Sequence, residues 1–324
     1  MKAWRVHEFG PYADVLVREE CEDPSVLPNS TIIQIEAAGV NFPDVLFIQG
    51  EYQLKPPLPF IPGIEAAGTV IEAGPHSQFE VGDRIVTSGL GAFSDKMLAL
   101  DSMAFKIPRD MSSVDAAAMR IIYETSYMAI AYRAKLRRRE TLLVHGGAGG
   151  VGTAAIQVGK ALGAKVIATA SGERNIAVCY DCGADHVIDY RNDDIVAEVK
   201  RMTDGRGADV IYDPVGGDAF DASTHCINFE GRLIVIGFAS GRIPEIKAHM
   251  ILNKNMSVMG FFWTNYLFKR PDLVAQFQQE INDLYHEGKF VPVVSEQRPM
   301  DDLPDVLDSI MHHHAYGKIV LTNG

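Results

Sequence analysis

The stretch that most constrains this chain is Thr141-Leu142-Leu143-Val144-His145-Gly146-Gly147-Ala148-Gly149-Gly150-Val151-Gly152. A short run of apolar β-formers feeds directly into glycines, and residues 153–162 follow with helical character. Gly147, Gly149 and Gly152 stand at G-x-G-x-x-G spacing. The first glycine of such a motif permits a tight turn, the second lets backbone approach a pyrophosphate, and the third lets helix pack on strand. Phosphates then sit on free N–H groups at the positive end of the helix. With a strand before it and a helix after it, the motif predicts dinucleotide binding, with Ala148, Gly150 and Val151 completing the cradle.

Charge and composition narrow the setting. A net charge of -12 makes nucleic acid or an anionic membrane an unsuitable partner surface. No apolar run approaches the ~20 residues needed to span a bilayer, and the sequence MKAWRVHEFG carries no signal-peptide core. Four cysteines, Cys21, Cys179, Cys182 and Cys226, are too few for a disulfide scaffold, which predicts a cytoplasmic protein. The C-x-x-C at Cys179 and Cys182 falls in an expected helix and reads as a pair of buried thiols.

The chain changes character along its length. Residues 2–8 and 31–38 read as strands, 39–62 as a loop-rich stretch punctuated by glycines and prolines, and the rest to about 110 as short strands and turns. From 112 an Ala-rich helix is expected, with Ser112 or Ser113 as its N-cap and Arg137-Arg138-Arg139 as its solvated end. Strands are then expected at 141–144, 164–170, 186–190, 208–213, 232–237 and 257–261, with helices between most of them. Such alternation is the doubly wound, mostly parallel α/β pattern. The sixth strand would leave a sheet edge exposed unless a second subunit pairs with it, so a homodimer is expected. Helices near 271–287 and 303–313 and a strand at 317–321 close the chain, folding back onto the β-rich first domain. His312, His313 and His314 read as a helix end, because neighbours on a helix point about 100° apart and cannot chelate together.

These motifs, GVNFPD, PGIEAAGTV, GGAGGVG, DPVGGD and GKIVL, in this order, resemble the medium-chain dehydrogenase/reductase superfamily, and within it the zinc-free NADPH:quinone oxidoreductase group. The resemblance implies a GroES-like β-rich catalytic domain formed by 1–121 and 266–324, and a Rossmann domain with a doubly wound parallel sheet at 122–265. It implies no catalytic zinc. The superfamily's alcohol dehydrogenases use a Cys near position 41 and a His before Glu65, where this chain has Asn41 and Ile64, and residues 90–145 contain no cysteine for the third ligand.

An NAD site carries an acid about 20 residues beyond the glycines. Here Ala170 stands in that place, Ser171 can donate to a 2′-phosphate, and Arg174 can pair with it, so NADPH is the expected cofactor. Tyr190 resembles the residue that packs near the 2′-phosphate, whereas Asn175 stands where relatives often have a lysine. The resemblance further places Thr125, Val215, Gly237, Phe238 and Lys318 along the cofactor. Asn41, Asp44, Tyr52 and Tyr123 are the polar candidates for the reaction, with Asn41 donating to a substrate oxygen and Asp44 orienting it or a water. The residues 260–263 wall the substrate slot or belong to a subunit interface.

A metal-free reductase must place a hydride donor against an activated carbon and stabilise the enolate or phenolate that forms. Quinones and α,β-unsaturated carbonyls suit such a site. An enoyl- or acryloyl-CoA-type reductase and a non-catalytic NADPH-binding protein remain the alternatives.

Overall fold

The apolar runs after residue 140 become strands buried on both faces, as parallel strands covered by helices must be. In the computed structural model, which describes residues 1–312 and 314–323, six parallel strands form one sheet. Across it the order is His186–Asp189, Lys165–Ala170, Thr141–Val144, Ala208–Asp213, Ile227–Val235, Ser257–Gly260. The sequence order reverses at Thr141–Val144, and the Gly-rich turn leaves that strand. This is a Rossmann sheet, whose ligands bind beyond the strand ends at the switch point.

The fifth strand starts earlier than expected, at Ile227 rather than 232. Asn228, Glu230 and Gly231 disguise it as a loop. Glu230 has a left-handed φ of 56°, and the pairing with Ala208–Asp213 shifts register there. Ser112 Oγ accepts the Asp115 N–H at 3.0 Å and so caps the Ser113–Tyr127 helix. That helix runs on as a π-turn, Met128–Arg133, and stops. Arg137–Arg139 therefore lie in an exposed turn beyond the helix rather than at its end.

The other sheet runs Val294–Pro299, Lys318–Thr322, Ser30–Gly39, Glu65–Ala73, Arg84–Ser88, Ala104–Lys106, with Lys96–Leu100 also paired to Ser30–Gly39. Lys318–Thr322 is antiparallel to Ser30–Gly39, so the end of the chain completes the sheet begun by residue 30. The mixed α/β fold is thus a GroES-like unit and a Rossmann unit. By packing, residues 1–121, 269–278 and 292–324 form the first, and 122–268 with 279–291 the second. The segment 279–291 joins the second unit instead of remaining with its neighbours in the first.

One helix inside the loop-rich stretch was not expected. Phe42–Gln49 is helical, with Asn41 as N-cap, Pro43 in its first turn and Gly50 closing it at φ 72°. Val45, Phe47 and Ile48 bury its apolar side in the first unit's core. A proline fits here because the first-turn N–H groups have no intrahelical acceptor to lose.

Candidate active site

Asn41 is held from three sides. Its main-chain N–H donates to Asp44 Oδ2 at 2.7 Å, the capping-box contact that starts the helix. Its Nδ2 donates to Glu65 Oε1 at 2.7 Å, and its Oδ1 accepts from Lys318 Nζ at 2.6 Å. Lys318 spends its other two protons on Val40 O at 2.7 Å and Glu65 Oε1 at 2.6 Å. Glu65 Oε2 accepts the Ile121 N–H at 2.8 Å. Lys318 and Glu65 are 3% and 0% exposed, so this ion pair is buried and fully hydrogen-bonded, as such a pair must be to persist.

Two expected site residues show their partners here. Lys318, expected along the cofactor, engages all three of its N–H groups inside this cluster. Asp44 orients Asn41 through the backbone and not through its amide. Glu65 was not anticipated at all. The sequence signal was an acidic residue opening a mostly apolar strand, EAAGTVIEA. What remains of Asn41 is its second Nδ2 proton, whose only contact among the described residues is a long 3.5 Å one to Gly39 O.

Burial dominates Asp44. It is fully enclosed, and its pKa is pushed up to about 8 despite the Asn41 N–H and the Lys318 charge, which pull it down. Its Oδ1 has no hydrogen-bond partner among the described residues, as a protonated carboxyl facing no acceptor would be.

The Gly-rich turn shows why two of its glycines are required. A Cβ on Gly152 would stand 2.1 Å from Gly146 O, and one on Gly147 would stand 2.8 Å from Cys179 Sγ. Gly149 is the N-cap of the Gly150–Ala161 helix, and Ala148, Gly150 and Val151 lie at its opening, where backbone N–H groups lack intrahelical acceptors. Cys179 and Cys182 are free, buried thiols. Burial pushes Cys179 up to about 12, which leaves it inert.

Twenty residues on, Ser171 Oγ donates to Tyr190 Oη at 2.9 Å. Gly172, at φ 81°, is the N-cap of the Glu173–Asp181 helix, and Arg174 is exposed in its first turn. The structure therefore groups Ser171, Arg174 and Tyr190 around one helix N-terminus. Val215 N and Gly216 N donate to Asp213 Oδ1 at 2.9 Å each, and Phe238 packs against Gly216 while Gly237 N reaches Asp213 O at 3.4 Å. Thr125 is buried in the Ser113–Tyr127 helix.

Tyr52 is half-buried with its ring 4.3 Å from Phe47. Tyr123 is 1% exposed, donates to Gln157 Oε1 at 2.9 Å and packs on Phe290 in the second unit's core. Trp263 is likewise buried and donates to Glu124 Oε2 at 2.7 Å. His312 is exposed against Asp308, and His313 lies outside the described residues.

Among the described residues no three His, Cys, Asp or Glu side chains converge as a catalytic zinc would need. At the Asn41 cluster the ammonium of Lys318 already takes three oxygen acceptors.

Residues 27–109 match the family model for the alcohol dehydrogenase GroES-like domain, and 150–284 that for zinc-binding dehydrogenase. The chain is 35% identical over 294 residues to quinone oxidoreductase-like protein 2 homolog of Nematostella vectensis, covering 89% of this chain and 80% of that one. It is 31% identical over 328 residues to human quinone oxidoreductase, covering 99% and 97%. The crystal structure of Escherichia coli quinone oxidoreductase complexed with NADPH matches with a TM-score of 0.93 at 28% identity, over 100% of both chains. With its sequence matched along nearly its whole length and its fold throughout, the chain belongs to the quinone oxidoreductase group of the medium-chain dehydrogenase/reductase superfamily.

Proposed function

We propose that this chain is an NADPH-dependent, metal-free reductase that delivers hydride to a quinone or an α,β-unsaturated carbonyl. The observation that carries the proposal is the state of Asn41: an amide clamped by Lys318 and Glu65 with one N–H to spare. Such a group is a preorganised donor for an oxygen that gains charge as its ring or chain is reduced. An amide stabilises an oxyanion but cannot protonate it. Hydride transfer to a quinone or enone leaves a delocalised hydroquinone anion or enolate, which one N–H can stabilise and water can protonate afterwards, whereas transfer to a simple carbonyl builds a localised, strongly basic alkoxide that needs an acid or a metal as it forms, and so the site suits acceptors that are already activated.

NADPH supplies the hydride when bound. The N–H groups around Gly147–Gly152 hold its pyrophosphate, and Ser171, Arg174 and Tyr190 hold its 2′-phosphate, with no acid at Ala170 to repel it. Val215, Gly237, Phe238 and Thr125 would line the rest of the cofactor. Tyr52 lines the acceptor side. The metal-free reading rests on Asn41 and Ile64 standing at ligand positions and on the saturation of the Lys318 ammonium.

The Ser257–Gly260 strand has one sheet neighbour, and a homodimer that pairs through its free edge is part of the proposal. No helix among the described residues is long and apolar enough to cross a membrane. The test follows NADPH absorbance with a panel of small quinones and enones, with and without a chelator. Turnover unaffected by the chelator is expected. No turnover on any member of the panel refutes the proposal, and a monomeric mass in solution refutes its dimer.

A further inference from the structure

His145 sits between the Thr141–Val144 strand and Gly146 and is fully buried. Its main-chain N–H donates to Tyr212 O at 3.0 Å and so continues the sheet ladder. An imidazole in such a core is costly unless both nitrogens are paired, and both are. Nε2 lies 2.8 Å from Ser223 Oγ and Nδ1 3.2 Å from Thr169 Oγ1.

The protons of this cluster can be placed. Ser223 gives its hydroxyl proton to Ala219 O at 2.7 Å, so toward His145 it only accepts, and Nε2 carries the ring proton. Nδ1 is then an acceptor for the Thr169 hydroxyl. Thr169 Oγ1 in turn accepts the Gly146 N–H at 3.3 Å, while Thr169 O accepts the Gly147 N–H at 2.9 Å. The donors all point one way: Gly146 N–H to Thr169, Thr169 to His145, His145 to Ser223, Ser223 to Ala219. This order requires a neutral, Nε2-protonated His145, and burial disfavours the imidazolium.

The chain of bonds starts on the backbone of the phosphate turn. Gly146 has a left-handed φ of 60°, and a Cβ at Gly152 would meet its carbonyl oxygen. The orientation of the Gly146 peptide therefore fixes how the following N–H groups are presented. We propose that His145 is a positioning residue for the pyrophosphate of NADPH, holding the Gly146 peptide through Thr169 from a side that no ligand touches. The inference rests on the NADPH reading above and is independent of the hydride acceptor.

The experiment uses the full chain and measures binding of NADPH and of adenosine 2′-monophosphate, which has the 2′-phosphate but no pyrophosphate. Thr169→Val deletes the hydroxyl at constant shape, Thr169→Ser keeps it, and Ser223→Ala removes the group that sets the tautomer. Thr169→Val and Ser223→Ala are each expected to weaken NADPH about tenfold, the scale of one hydrogen bond. Their double variant is expected to lose little more, because one chain is broken twice. Thr169→Ser stays within about twofold, a fraction of one hydrogen bond, and adenosine 2′-monophosphate binds all variants alike. Imidazole nitrogen NMR of the wild type is expected to show a neutral ring protonated at Nε2. NADPH affinity unchanged in Thr169→Val, an equal loss for both ligands, or an Nδ1-protonated ring overturns the proposal. A wild-type protein that binds adenosine 2′-monophosphate but not NADPH, or neither, overturns the NADPH reading itself.

Discussion

Asp44→Asn isolates the effect of burial on one carboxyl. Asp44 has an ordinary pKa of 3.8 when exposed and about 8 in the fold. The folded value is raised, so the native state binds a proton that the unfolded chain has released throughout that interval. The sign follows: the contribution of Asp44 is fully present below 3.8 and is lost as pH rises toward 8, at roughly 1.4 kcal/mol per pH unit. Over the whole interval the loss approaches roughly 6 kcal/mol. Asparagine mimics the protonated acid, accepting the Asn41 N–H with its carbonyl and placing an NH₂ where Oδ1 now stands unpartnered. Urea unfolding of the wild type and Asp44→Asn, each at several pH values between 4.5 and 8.5, gives their difference and cancels every other titrating group. The variant's advantage is expected to grow with pH and level off near 8. A difference that stays flat, or shrinks as pH rises, would mean that Asp44 is ionised in the fold and that Lys318 outweighs desolvation there.

Three further outcomes are expected. Lys318→Met leaves Glu65 buried without its counter-charge. It should destabilise the first unit by about 3–5 kcal/mol and lower kcat by loosening Asn41, and an unchanged unfolding midpoint would show that the pair is not buried. Arg174→Ala should raise KM for NADPH about tenfold, the scale of one lost charge-assisted contact, and leave KM for NADH unchanged; equal effects on both cofactors would remove Arg174 from the 2′-phosphate. Gly152→Ala drives a methyl to within 2.1 Å of Gly146 O, so the turn must open. NADPH affinity measured by fluorescence titration should fall at least about tenfold, and wild-type affinity would show that the turn is not the cofactor's seat.

The Rossmann half was legible because its strands are buried on both faces. TLLV, KVIATA and ADVIYD leave no polar alternation to confuse with a helix, and the glycines mark where the first one ends. The Ile227–Val235 strand was read short because it contains a left-handed Glu230 and a register shift, and neither has a hydrophobic signature. The Phe42–Gln49 helix was hidden by its proline, taken as loop punctuation although the Asn41-x-x-Asp44 spacing of a capping box stood beside it. In the site, Asn41 and Asp44 were visible because they are neighbours in sequence. Glu65 and the partners of Lys318 were not, because their partnership is set by the pairing of the Lys318–Thr322 strand with Ser30–Gly39 across most of the chain. The partners of Tyr123 were hidden for a related reason: only the packed structure brings Gln157 and Phe290 to it.

The buried ion pair also bears on how the protein is made. Lys318 follows Asn41 by 277 residues. On the ribosome, Glu65 and Asn41 emerge long before the ammonium that will neutralise one and clamp the other. Until then the Glu65 carboxylate has no cation to justify leaving water, and two strands of its sheet have yet to be synthesised. The Rossmann unit, most of whose segments lie between these points, has its sheet strands available first. The GroES-like unit, although its sequence begins earlier, lacks its electrostatic keystone until Lys318 has been made, after every strand of the Rossmann sheet.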